Sequence, residues 1–295
     1  VTESILSARN LTKEFVTRGT GKIVAGRTTF TAVDDVSFEV PRGGTLGIVG
    51  ESGSGKSTTA RIIAKLIEPT RGTVEFDGED VTAASGRALT SFRQNVQVVF
   101  QDPFSSLNPK HTVERLITAP LDYQRVKPKQ GKRALVRELM ERVGLNPDHA
   151  QRYPSQFSGG QAQRIGIARA LALRPKLVIC DEAVSALDVS VQARVINLLN
   201  DLKADLGLSY VFIAHDLAVV RQIADTVAVM HRGRIVEAGD RETVFERPAA
   251  EYTRTLLAAV PKIDPEWDRR RLAMLADEAA DAALAGSGAG NGANR

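Results

Sequence analysis

The chain has 295 residues, 43% of them hydrophobic and 25% charged, with a formal net charge of +4, the composition of a globular protein with a substantial core. One cysteine, Cys180, excludes an internal disulfide and any metal or iron–sulfur site built from several cysteines of this chain. No stretch approaches the roughly 20 apolar residues that span a bilayer, and Val1 to Asn10 lacks the apolar segment of a secretory signal. A membrane would have to be reached through partners.

In chain order, short apolar strands alternate with amphipathic helices, the pattern of an α/β fold. Leu46 to Val49 reads as a buried strand that runs into a glycine-rich loop, Gly50-Glu51-Ser52-Gly53-Ser54-Gly55-Lys56-Ser57. A helix is expected over Thr58–Ile67, stopped near Pro69. Val74 to Phe76 followed by Asp77-Gly78 reads as a strand entering a tight turn. Val96 to Phe100 is the next strand.

From about 102 to 166 the texture changes. Prolines at 103, 109, 120, 128, 147 and 154 punctuate helical segments such as Thr112–Leu121 and Lys132–Val143, the mark of a helical insertion. The helix Ala162–Leu171 follows Phe157-Ser158-Gly159-Gly160-Gln161. The α/β core then resumes with strands over Leu177–Cys180 and Tyr210–Ala214, separated by a helix over Val189–Leu206. Thr226–Met230 and Arg234–Val236 form a closing hairpin. Pro265–Leu284 is expected to be a helix, and Ala285 to Arg295 is too poor in hydrophobic residues to pack. The basic runs Arg125-Val126-Lys127-Pro128-Lys129 and Arg269-Arg270-Arg271 read as solvated surface, with no nucleic acid expected.

Gly50 to Ser57 matches the phosphate-loop pattern, placed between a strand and a helix. Glycines let the backbone N–H groups turn inward toward phosphate oxygens, and the helix N-terminus adds partial positive charge. Lys56 would neutralise phosphate, and the Ser57 hydroxyl would reach Mg²⁺. The loop alone does not separate a kinase, a GTPase or a motor. Asp181 and Glu182 end an apolar strand at the carboxyl edge of the sheet, where ligands of such folds bind. Asp181 would hold Mg²⁺, and Glu182 would polarise an attacking water. Ser158-Gly159-Gly160-Gln161 is a second anion receptor, more than one nucleotide on the first loop needs. Two copies closing face to face around ATP would use both. Gln101 links a strand to the helical insertion and could reach the metal, and His215 follows a strand where a γ-phosphate could lie.

These residues resemble the ATP-binding subunits of ABC transporters over roughly residues 4 to 262. The resemblance makes Gly50–Ser57 Walker A, Gln101 the Q-loop, Phe157–Gln161 the signature motif and Leu177–Asp181 Walker B with Glu182 following. Ser185 to Asp188 is then the D-loop and His215 the switch histidine. It implies a P-loop ATPase core with an antiparallel β subdomain and a helical subdomain insertion at about 102–166. It also implies that two ATPases sandwich two ATP molecules. Nucleotide contacts would come from Phe15, Gly50, Ser52, Gly53, Gly55, Lys56, Ser57, Thr58, Gln101, Ser158, Gly160, Gln161 and Asp188. Catalysis would rest on Glu182, His215 and Lys56, and Mg²⁺ on Ser57, Gln101 and Asp181. Phe15 is preferred over Phe30 for stacking on adenine, because a loop over Val16–Thr31 blurs the alignment.

A narrower resemblance, to oligopeptide, dipeptide and nickel importer ATPases, rests on Gln101–Pro109, Asp181–Gln192 and Glu251–Pro261. It implies a nucleotide-binding domain over 1–262 with an importer-type segment at about 240–262, then 263–295 as a C-terminal helix and tail. It further implies a second, distinct ATPase, two transmembrane permease subunits and, indirectly, an extracytoplasmic solute-binding protein. The chain would work at the cytoplasmic face of a bacterial inner membrane. Import of nickel or another small solute, or a non-transport ABC ATPase of translation or DNA repair, are the alternatives. Three departures stand out. Phe157 replaces the usual leucine, Ala183-Val184 replaces Pro-Thr, and the cysteine cluster many relatives use for an iron–sulfur group is missing.

Overall fold

The computed structural model describes residues 3–18 and 27–259. The described residues up to Leu257 belong to one compact unit, and beyond it only Ala258 and Ala259 are described. The helix expected over Pro265–Leu284 and the tail beyond it lie outside the described residues.

Strand β1 (Ser4–Arg18) pairs antiparallel with β2 (Arg27–Pro41), with Leu6 opposite Val40 and Phe15 opposite Phe30. This corrects the loop expected over Val16–Thr31. The β-branched residues Val16, Thr28, Thr29 and Thr31 favour an extended, pleated chain, and pairing continues to Arg18 and resumes at Arg27. Strand β3 (Thr45–Val49) follows and delivers the glycine loop to α1 (Lys56–Ile63). α1 stops short of the expected Ile67. Lys65 takes a left-handed φ of 53°, and the N–H groups of Leu66 and Ile67 both turn back to the Arg61 carbonyl. Next come β4 (Arg71–Phe76) and β5 (Glu79–Asp80), joined through Asp77 and Gly78. Both turn residues have positive φ, the mirror-image turn whose twist matches a hairpin.

α2 (Gly86–Asn95) leads to β6 (Val96–Val99), and the helical insertion contains α3 (Pro103–Ser106), α4 (Val113–Gln124), α5 (Lys132–Arg142) and α6 (Gly159–Leu171). The core resumes with β7 (Leu177–Asp181), α7 (Val189–Leu206), β8 (Ser209–Ala214), α8 (Leu217–Ile223), β9 (Thr226–His231) and β10 (Arg234–Asp240). α9 (Arg241–Glu246) and α10 (Glu251–Ala258) complete the described chain.

The strands form two sheets. One is antiparallel in the order β2-β1-β4-β5; the other runs β10-β9-β3-β8-β7-β6, parallel except for β10. Parallel strands covered on both faces carry continuous apolar runs, as Leu46, Ile48, Ile179, Val211 and Ile213 do here. A single apolar core joins Ile5, Leu11 and Val36 of the first sheet, Ile62 and Ile63 of α1, and Ile48 and Ile213 of the second. That shared core fixes α1, and therefore the loop preceding it, against both sheets. No helix among the described residues is long and apolar enough to cross a membrane.

Candidate functional site

The glycine loop leaves β3, all five of whose residues are buried, and its path is set by close packing. A Cβ on Gly50 would collide with the Met230 carbonyl oxygen, and Gly55, at a φ of 104°, would press one to 2.5 Å from the Ala32 carbonyl oxygen. Only glycine fits either position. Lys56 opens α1 with its side chain buried, and its ammonium donates to the carbonyls of Gly50 (2.7 Å) and Glu51 (2.8 Å). Burial lowers its pKa, against the opposing charges of Glu182, Asp181 and Glu51. Ser52 and Gly53 are exposed at the tip, Thr58 is half-buried in the first turn of α1, and the buried Ser54 hydroxyl has no partner among the described residues.

The Ser57 hydroxyl donates to Asp181 Oδ1 at 3.0 Å, joining the loop to the end of β7. Burial raises the Asp181 carboxyl pKa, and Glu182 adds to it, while the Ser57 hydrogen bond, Arg61 and Lys56 pull it down. Two hard oxygen donors at hydrogen-bond distance fit Mg²⁺, which takes few protein ligands and completes its shell with phosphate and water. Among the described residues no cluster of three His, Cys, Asp or Glu offers a cage of its own. Glu182 sits just past β7 with a left-handed φ of 51°, rare for a non-glycine residue. The conformation is held by its N–H on the Ile213 carbonyl (3.0 Å) and by the Ser185 hydroxyl on its own carbonyl (2.9 Å).

His215 follows β8 directly and is exposed, and Gln101 lies just beyond β6, also exposed. Since β3, β8, β7 and β6 are parallel neighbours, their carboxyl ends bring Lys56, His215, Asp181, Glu182 and Gln101 to one sheet edge.

Other expected residues are not joined to that edge by any hydrogen bond among the described residues. Ser158 caps α6, its hydroxyl accepting from Gln161 N (3.4 Å) while Gln161 Oε1 accepts from Ser158 N (3.0 Å), a reciprocal capping box. Gly160 lies so close to Val191 of α7 that a Cβ would collide with it, and Phe157 is buried edge-on to His149. Asp188 caps α7, accepting from Val191 N (2.9 Å) and Ser190 Oγ (2.8 Å), and these bonds lower its pKa. Phe15 and Phe30 are cross-strand partners, both exposed, and the Lys13 ammonium lies 5.4 Å from the Phe15 ring. They present one aromatic pair, so the choice between them is between two halves of the same surface.

Sequence reasoning missed three contacts. The Gln163 amide donates to the Phe100 carbonyl (3.4 Å) and the Arg169 guanidinium to the Ser106 carbonyl (2.6 Å), so α6 grips both ends of the segment that contains Gln101. Gln163 is buried among the apolar positions of α6, and that placement was the available signal. Tyr252 of α10 accepts a hydrogen bond from Glu51 N in the glycine loop.

The chain matches the family model described as "ABC transporter" over residues 33–185 and that described as "Oligopeptide/dipeptide transporter, C-terminal region" over residues 236–288. It is 49% identical over 275 residues to the oligopeptide transport ATP-binding protein OppF of Bacillus subtilis (strain 168), covering 92% of this chain and 87% of that protein. It is also 49% identical to the glutathione import ATP-binding protein GsiA of Escherichia coli (strain K12) over 94% of this chain, but spans only 44% of that relative's length. Among solved structures, the dimeric ATP-binding cassette MJ0796, in a post-hydrolysis state bound to ADP and Pi, aligns with a TM-score of 0.69 at 28% identity, covering 80% of this chain and 98% of that one. The cbiO1 protein of Clostridium perfringens, part of the ABC transporter complex cbiONQ, aligns at 0.70 and 25% identity, covering 88% and 97%.

Proposed function

The chain belongs to the ABC transporter family as an ATP-binding, ATP-hydrolysing subunit, and on that premise we propose that it powers import of oligopeptides or dipeptides. The observation that carries this reading is the near full-length identity to an oligopeptide transport ATP-binding protein, joined to the match of the C-terminal region. Glutathione, the solute in the name of the import relatives, is itself a short peptide, which supports the same class of cargo.

In this reading Lys56 and the N–H groups of Gly50–Ser57 bind the β- and γ-phosphates, and Phe15 with Phe30 packs on adenine. Ser57 and Asp181, with Gln101, would hold Mg²⁺, which would supply positive charge beside the phosphate oxygens. Glu182 accepts the proton of the attacking water and His215 hydrogen-bonds the γ-phosphate. Ser158, Gly160, Gln161 and Asp188 face the nucleotide of a second ATPase, each chain completing the other's site in a head-to-tail pair.

The ATPase pair would dock under two permease subunits, each chain offering the place where its helical insertion meets the sheet. A cleft of about 550 Å³ opens there beside Gln101, lined by Leu66, Phe100, Pro120 and Tyr123, with Ser106 and Arg169 at its side. Leu66, Phe100 and Tyr123 are exposed large apolar residues in one cleft, which suits an amphipathic helix laid across it. The chain would then sit at the cytoplasmic face of a bacterial inner membrane, held there by the permeases and served by an extracytoplasmic solute-binding protein. Pull-down of the tagged chain from detergent-solubilised native membranes tests the reading. Recovery of two permeases and a second ATPase is expected; recovery of ribosomes or DNA-repair proteins instead would overturn it.

A further inference from the structure

The glycine loop is held on its outer side by a residue some 200 positions away. The peptide joining Gly50 to Glu51 is trans and planar, so its carbonyl and its N–H point in opposite directions. The carbonyl edge accepts from Lys56 Nζ at 2.7 Å; the N–H edge donates to the Tyr252 hydroxyl oxygen at 3.4 Å. Lys56 and Tyr252 therefore fix the two edges of one peptide plane.

Tyr252 is itself firmly placed. Its ring lies 3.9 Å, centroid to centroid, from the ring of His231, the last residue of β9, and the preceding Met230 carbonyl is the group pressed against Gly50. The approach of α10 is set by Glu237 of β10, whose carboxylate accepts from Ala249 N (2.7 Å) and Ala250 N (3.1 Å). Arg254 closes the same turn by donating to the carbonyls of Pro248 (3.1 Å) and Ala249 (2.7 Å). Burial raises the Tyr252 pKa, so the phenol stays protonated and neutral beside Glu51.

We propose that Tyr252 is a positioning residue of the phosphate loop, holding the Gly50–Glu51 peptide so that Lys56 and the loop N–H groups are preset for the nucleotide phosphates. The inference rests on the ATPase reading and adds a role for the C-terminal region. Glu237 and Tyr252 both fall in that region, so its seating on β9 and β10 sets the affinity of the loop. Removing the hydroxyl frees the peptide to rotate, and the loop must then be ordered by the nucleotide itself.

The test uses the full chain carrying Tyr252→Phe, which keeps the ring on His231 and deletes only the hydrogen bond. MgATP affinity should weaken by about 3- to 10-fold, the worth of one such bond, with kcat kept and KM raised. The Glu51 amide should exchange its hydrogen faster in the nucleotide-free variant, while amides of β3 stay protected. Glu237→Gln, which loosens the seat of α10 but leaves Tyr252 intact, should shift affinity in the same direction by less, and it decides the matter if Tyr252→Phe does not fold. Wild-type affinity in the folded variant, an unaltered Glu51 amide, or a loss confined to kcat would overturn the proposal. ATP turnover by the unsubstituted chain reports separately on the ATPase reading.

Discussion

Asp181 carries an ionisable group whose charged form is penalised where it sits. Burial raises its carboxyl pKa, so the fold favours the protonated acid more than the unfolded chain does. The resulting stabilisation is full below the ordinary carboxylate range and is lost as pH rises through the raised value. Above that raised value the nucleotide-free protein bears the cost of the carboxylate. Lys56 mirrors this: its pKa is lowered by burial, so its favourable contribution is full above the ordinary lysine range and is lost as pH falls through the lowered value. Asp181→Asn, which can still accept from the Ser57 hydroxyl, should raise the thermal midpoint of the nucleotide-free chain at pH 7. The gain should shrink toward acid pH, where Asp181 is protonated anyway. Thermal unfolding followed across that range checks the claim, and a gain independent of pH would refute it. Such a site is less stable empty because it is shaped for a partner that brings the missing charges.

Helix α6 links two regions that the sequence keeps apart. Its first turn is the capped Ser158–Gln161 element, and further along, Gln163 and Arg169 hold the carbonyls of Phe100 and Ser106 on either side of Gln101. Arg169→Ala should leave basal ATP hydrolysis by the isolated chain within about 2-fold, since Arg169 touches none of the proposed catalytic groups. Peptide uptake per ATP should fall severalfold in proteoliposomes holding the full transporter, because hydrogen bonds from a charged group are each worth roughly 1.5–3 kcal/mol. The phosphate loop and the strand end at Asp181–Glu182 were legible because their chemistry is local: glycines, a lysine and two acids at fixed offsets from apolar runs. The end of α1 was not, since Ile62, Ile63, Leu66 and Ile67 keep a helical spacing although Lys65 turns left-handed and Leu66 is exposed. Val16–Thr31 read as a loop, which hid the strand pairing that runs to Arg18 and resumes at Arg27. The Glu51–Tyr252 contact bridges 201 positions, a separation that no local pattern encodes.

At the scale of the whole molecule, the half-sites imply their own completion. Ser158–Gln161 is not hydrogen-bonded to the Gly50–Ser57 loop among the described residues; its Ser158 and Gln161 N–H groups are held within its own capping box. Glu182→Gln should keep MgATP binding yet slow hydrolysis by about 10²- to 10⁴-fold, trapping the closed pair. Light scattering should then show a doubled mass with MgATP and the single-chain mass without it, either with itself or with the second ATPase supplied in equal amount. Persistence of the single-chain mass in both mixtures would sink the head-to-tail arrangement. Cys180, finally, gives the chain a built-in clock. It is the only thiol, fully buried in β7, with its pKa pushed up to about 12 by burial and by neighbouring Asp181. A thiol reagent therefore reacts at the rate at which β7 comes out of the sheet, and that strand ends in Asp181. Adding MgATP should slow labelling in proportion to nucleotide occupancy, so one modified sulfur reports how tightly the site is closed without any introduced probe.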